Sequence, residues 1–167
     1  DPLFPQQWYL LNTGQNGGTP GMDIDVAGAW LYATGKGVKI VVNDTGIDYT
    51  NPDLAPNYDV TDSRSVDPPF GDGYPYNTDN LTGSDLQDLA HGTFVAGLIA
   101  AAGNDDFGII GVAYQASIAA FRVIDTHAGD NAAFTELAAA FNNEVTGNFA
   151  VANNSWEFSD ALADSVF

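Results

Sequence analysis

Three short apolar runs organise the chain. Residues 38–42 (Val-Lys-Ile-Val-Val) are apolar at four of five positions and barely alternate, as expected of a strand covered on both faces. Residues 117–124 repeat this pattern, and residues 149–152 form a third, shorter run. Helical spacing separates them. Residues 91–102 read as a helix of small side chains stopped by Gly103, and residues 131–145 as a helix with Phe134, Leu137, Ala138, Phe141 and Val145 on one stripe. Upstream, residues 23–33 place Ile24, Ala27, Trp30 and Leu31 at helical spacing, with Asp23 as N-cap and Gly35 as stop. Strand, helix, strand, helix, strand predicts an α/β fold: a parallel sheet with helices on both faces and right-handed crossovers.

Two stretches carry no such period. Residues 1–21 are rich in Gly, Pro, Asn and Gln and read as an extended arm, pinned to the body by Trp8, Tyr9 and Leu10. Residues 50–88 hold many of the Pro, Gly and Asp, and a loop of that length is usually functional or stiffened by metal. The expected organisation is one incomplete domain over residues 1–167: the arm, then an α/β portion over 22–167. The opening Asp1-Pro2 fits a trimmed start.

Charge narrows the partners. There are 22 acidic and 4 basic residues, a net charge of −18, and nineteen of the acids are Asp. Asp favours turns over helix interiors and ligates calcium well, so the excess points to acidic loops. A solubilising shell and calcium binding both remain open. Nucleic acid and anionic membrane surfaces are excluded as partners by repulsion. No apolar run approaches the roughly 18 residues of a membrane span, and cysteine is absent.

The candidate chemistry lies at two element ends. Asp44 follows the first strand, where open parallel sheets build their sites, and Gly46 permits a tight turn behind it. His91, 47 residues on, is expected at the start of the small-residue helix, with Gly92 letting a substrate backbone pass close. A carboxylate that accepts a bond from His Nδ1–H fixes the tautomer and stabilises the imidazolium formed when Nε2 takes a proton from a nucleophile. Asp-Thr-Gly alone is generic, and so is a lone histidine; both at element ends in this order is a sharper signal. A transition-metal site from Asp44, Asp88 and His91 has a single nitrogen ligand and no thiol, which argues against it. His127 reads as a surface residue. None of the seven serines sits in a Gly-Thr-Ser turn.

These boxes, Val42-Asn43-Asp44-Thr45-Gly46-Ile47-Asp48 and His91-Gly92-Thr93-Phe94-Val95-Ala96-Gly97, resemble those of the subtilisin-like serine proteases, the subtilases. Gly108 onward (GIIGVAYQAS) is similar to the segment that follows the family's His box, and Ala152-Asn153-Asn154-Ser155-Trp156 to its substrate-binding strand. The opening DPLFPQQWYL is similar to the start of kexin and furin type catalytic domains. The resemblance runs over all 167 residues and covers the first half of such a domain. It implies a serine endopeptidase in which Asp44 orients His91, the general base and then acid, toward a serine beyond Phe167.

The resemblance also implies a polypeptide substrate paired along Asn154, Ser155 and Trp156, with Asp88 and Glu157 beside its pockets. It implies a calcium ion held by the side chains of Asp1, Asp53 and Asp105 and the carbonyls of Ala102, Phe107 and Ile109; a bare acidic turn is the alternative. A second acidic loop, with Asp59, Asp62, Asp67 and Asp72, has no calcium spacing. Thr45 stands where kexin-type relatives carry a second acid, Glu157 where the family has Gly, and an acid expected around Ala133 and Phe134 is missing, with Glu136 nearby. The remaining C-terminal half of the protease domain is an implied partner, without which these 167 residues are expected to be inactive. A secreted location follows from family and calcium. The competing reading is a noncatalytic, calcium-stabilised peptide-binding module with a degenerate subtilase fold.

Overall fold

The computed structural model describes residues 1–65, 84–124 and 130–156. His127, Glu157, Asp67 and Asp72 lie outside these residues, as do the side chains of Asp88, Phe134, Glu136 and Leu137.

The first apolar run becomes β1 (Lys39–Asp44) and the second β3 (Ser117–Arg122), paired in parallel from Lys39↔Ser117 to Asp44↔Arg122. On the far side of β1, β4 (Val151–Asn153) adds in parallel, and β2 (Arg64–Ser65) edges β3, giving the order β2–β3–β1–β4. Successive strand residues point to opposite faces, and both faces are covered. Val42, Ile118 and Ala120 pack with Ala96 and Ala100 of α2 (Ser84–Ala100). Val41 and Phe121 pack with Ala140 of α3 (Asp130–Gly147). Full burial of each of these branched or aromatic side chains is worth about 1.5–3 kcal/mol, and alanines on the helix side let the backbones approach. The parallel sheet between two helices is the architecture the apolar runs predict.

Three elements differ from expectation. Helix α2 begins at Ser84, so His91 lies inside it rather than at its start. Ser84-Asp85-Leu86-Gln87 carries the Ser-x-x-Gln pattern of a helix beginning, hidden in an otherwise irregular stretch. The helix expected over 23–33 shrinks to one turn, α1 (Val26–Ala29). Asp23 instead accepts the backbone N–H groups of Asn12 and Asp25, both at 2.8 Å, bonds that hold its carboxyl below the usual range. Asp25 sits at φ 53°, a left-handed conformation that blocks an earlier helical start. Ile24 and Leu31 are accordingly exposed, and Val26 is the buried member, packed with Leu10 and Ile110. In the described part of α3, Ala140 is buried while Ala138, Phe141 and Val145 of the expected stripe are exposed. Close approach to Phe121 favours the smallest side chain at the contact.

The described start of the irregular segment, residues 50–65, is tied to the sheet by its own bonds. Tyr58 forms a bridge to Ile118, and Asn57 Nδ2 donates to the carbonyls of Ala100 and Tyr114 at 2.9 and 2.7 Å. Lys39, the polar exception in its run, pairs with Asp59 and Asp62 of this segment. The N-terminal stretch docks through Leu10 and Gln7 rather than Trp8, which is half exposed. Gln7 Nε2 donates to the Ile110 carbonyl and its Oε1 accepts the Ile110 N–H, both at 2.9 Å, so a buried side-chain amide substitutes for a strand partner. Gln7→Leu leaves both groups of Ile110 buried and unbonded, and unfolding of the full-length protein in denaturant should show a loss of about 2–5 kcal/mol.

Candidate active site

Asp44 is the last residue of β1 and wholly buried; its main-chain carbonyl accepts the N–H groups of Val123 and Ile124 beyond β3, at 2.9 and 3.3 Å. This fixes the carboxylate at the carboxyl edge of the sheet. Oδ1 lies 2.8 Å from His91 Nδ1 and accepts the Thr45 N–H at 2.7 Å; Oδ2 is buried with no hydrogen-bond partner among the described residues. As a carboxylate Asp44 only accepts, so the arrangement requires the proton on Nδ1 and leaves the Nε2 lone pair free. The Asp44 side chain is 1 % exposed and that of His91 47 %, so the pair reaches from the core to the surface.

Two threonine hydroxyls lock the boxes together. Thr45 Oγ1 accepts the Gly92 N–H at 3.0 Å, and Thr93 Oγ1 accepts the Asp48 N–H at 2.8 Å. Thr45, at the end of β1, thus holds α2 through a buried hydroxyl. Gly92 has a role different from the expected one. It is buried, and a Cβ there would run into the Gly46 carbonyl and come within 3.0 Å of Asp44 Cβ. Its missing side chain makes room for the aspartate box, not for substrate. Gly46, at φ 103°, supplies the turn that its position after the strand predicts.

Beyond β4, Asn154 Oδ1 accepts from Asn43 Nδ2 at 3.0 Å, Ser155 Oγ donates to Asn153 Oδ1 at 2.9 Å, and Trp156 Nε1 donates to the Asn43 carbonyl at 2.9 Å. This brings the expected substrate segment beside the residue that precedes Asp44. Asn154 and Ser155 are exposed, Trp156 partly so. The backbone of Asp88 lies in α2 one turn before His91.

The expected calcium ligands meet on one loop without forming a cage. Asp1 Oδ2 and Oδ1 accept the Asn104 N–H at 3.0 and 3.1 Å, and Asp105 Oδ1 accepts that of Phe107 at 3.0 Å. Asp53 Oδ2 accepts the Ile109 N–H at 3.0 Å, while its Oδ1 is buried and unbonded. Carbonyls of the loop used in its anchoring belong to Ala101, Gly108 and Ile110, not to Ala102, Phe107 or Ile109. Among the described residues no group of three or more His, Asp or Glu side chains gathers that could hold an ion, so an ion at this loop would need main-chain carbonyls as well.

Asn43, Thr45, Thr93 and Gln7 carry structural roles that the motif letters do not reveal. A polar residue inside an apolar strand, as Asn43 is, was the one available signal.

Fold and pairing together define a parallel α/β protein of the subtilisin-like class. Residues 35–164 match the Subtilase family. Neuroendocrine convertase 2 of Bos taurus is 49 % identical over 128 residues, covering 75 % of this chain and 19 % of that protein; the Homo sapiens protein gives the same figures. The serine protease of Aeromonas sobria superposes with a TM-score of 0.74 at 30 % identity, over 95 % of this chain and 26 % of that one. A protease from Pseudoalteromonas arctica gives a TM-score of 0.60 at 26 % identity, over 83 % of this chain and 42 % of that one. The chain belongs to the subtilase family, and it spans about a fifth of the length of the curated relatives it matches.

The Gly92 contact is testable against a second helical glycine. Among the described residues, a Cβ on Gly97 meets only Ile109 Cδ1, at 3.4 Å. Gly97→Ala should therefore be neutral or stabilising by up to about 1 kcal/mol, whereas Gly92→Ala should cost about 1–3 kcal/mol through overpacking, both read from denaturant unfolding of the full-length protein.

Proposed function

We propose that this chain contributes the aspartate and histidine of a serine endopeptidase, with the nucleophilic serine supplied by sequence beyond these 167 residues. The observation that carries the reading is the 2.8 Å contact between His91 Nδ1 and the buried Asp44 Oδ1. Asp44 holds the imidazole with Nε2 facing outward and stabilises the positive charge the ring acquires. Nε2 removes the serine proton as the hydroxyl attacks the scissile carbonyl, then returns it to the leaving amine. The acyl-enzyme is hydrolysed by water along the same proton path. The substrate is a polypeptide, paired through its main chain along Asn154, Ser155 and Trp156, and we place the enzyme outside the cell.

Fluorophosphonate labelling of the full-length protein tests this. The wild type should react at one serine, and Asp44→Asn should lower kcat by about 10⁴, the loss found when the orienting aspartate of such a triad, in subtilisin among others, is replaced. A folded protein that binds peptide yet takes no label would instead be a noncatalytic binding module.

A calcium ion at the loop of residues 102–109 is the second part of the proposal. Three acids remote in sequence, Asp1, Asp53 and Asp105, bond backbone N–H groups of this one loop, and the buried Asp53 Oδ1 has an acceptor site to spare. A bound ion would neutralise these carboxylates and stiffen the helix exit. Calcium at a hundredfold excess over Kd should stabilise the full-length protein by about 2.7 kcal/mol, read as a rise in the thermal midpoint. Asp53→Asn should abolish the rise, and an equal rise in that variant would remove Asp53 from the site.

A further inference from the structure

Sheet pairing stops just short of the substrate segment. β4 meets β1 only from Ile40↔Val151 to Val42↔Asn153, so the ladder does not reach Asn154, Ser155 or Trp156. Asn43 holds Asn154 and Trp156 instead. Its side chain is fully buried, its Nδ2 donates to Asn154 Oδ1 at 3.0 Å and to Glu144 of α3, and its carbonyl accepts from Trp156 Nε1 at 2.9 Å. One residue therefore ties α3 and the segment beyond β4 to the strand end, and its chain neighbour Asp44 holds His91.

The chemistry of the amide is specific. An ionised Glu144 can only accept, so the NH₂ group must face it and Asn154 together. That orientation strands Oδ1, which is buried without a hydrogen bond. A leucine of similar size would fill the site without an unbonded oxygen, so the amide is destabilising except for what its two donors hold.

We propose that Asn43 is a positioning residue for peptide substrate: through Glu144, Asn154 and Trp156 it sets the substrate-pairing segment against the Asp44–His91 pair. The inference rests on the protease reading above. It predicts a defect in binding more than in chemistry, because Asn43 bonds the segment beyond β4 and not the imidazole.

Steady-state cleavage of a peptide series by the full-length protein tests it. Asn43→Leu should raise KM about tenfold, the scale of one or two lost hydrogen bonds, with kcat changed less than about threefold. Glu144→Gln keeps an acceptor oxygen and should stay within about threefold of the wild-type KM, whereas Glu144→Leu should not. If Asn43→Leu does not fold, Asn154→Ala at its exposed position should raise KM about three- to tenfold. An unchanged KM in folded Asn43→Leu, or in Asn154→Ala where that variant replaces it, overturns the inference; so does a loss confined to kcat. A wild type that neither cleaves peptide nor takes the fluorophosphonate overturns the protease reading instead.

Discussion

A carboxylate buried at the end of a strand is stable only where donors reach it, because removing a charge from water without partners costs far more than a folded domain has to spare. Asp44 meets this condition with the Thr45 N–H and the imidazole of His91 on a single oxygen. The requirement propagates outward. The ring reaches the acid only if α2 lies against the strand end, and α2 lies there only because Gly92 has no side chain to strike the Gly46 carbonyl. The Thr45 and Thr93 hydroxyls then fix the register of helix on strand. The electrostatics of one carboxylate thus dictate the local packing of two elements.

The rest of the sheet holds that strand end in place. β1 is central, paired on both sides, with opposite faces closed by alanines from α2 and α3. Strain or slack in either layer would move the aspartate relative to the ring. The loop leaving α2 is anchored separately: Gln7 takes both main-chain groups of Ile110, and Asp53 takes the N–H of Ile109. These long-range bonds join the N-terminal stretch and the segment after β1 to the exit of the histidine helix.

Much of this was legible in the sequence because parallel-sheet proteins write their central strands as unbroken apolar runs. The β1 and β3 cores follow from such runs, and the Asp44–His91 pairing from an aspartate at a strand end together with the resemblance of the two boxes to those of subtilases. Boundaries were harder, for physical reasons. The start of α2 lay in a polar stretch whose helical signal is a Ser-x-x-Gln pattern rather than a hydrophobic stripe. Residues 23–33 have helical spacing, yet Asp23 draws the backbone of Asn12 and Asp25 into a competing turn. Helical spacing marks Ala138, Phe141 and Val145 of α3, while the contact with the sheet is made by Ala140. Gly92 suggests room for a substrate backbone, yet the Gly46 carbonyl fills that space, because sequence does not say which neighbour occupies the room a glycine leaves. Asn43 and Gln7 act through partners 111 and 103 residues away, beyond any local pattern.

The proposed chemistry turns on one proton, on Nδ1 of His91 and held by Asp44. Nitrogen-15 NMR of the imidazole in the full-length protein, with Asp44→Ala as reference, reads it directly. The uncharged ring should carry its proton on Nδ1 with Nε2 bare, and that preference should be lost in the variant. A wild-type ring protonated at Nε2, or a tautomer unchanged by Asp44→Ala, would contradict it.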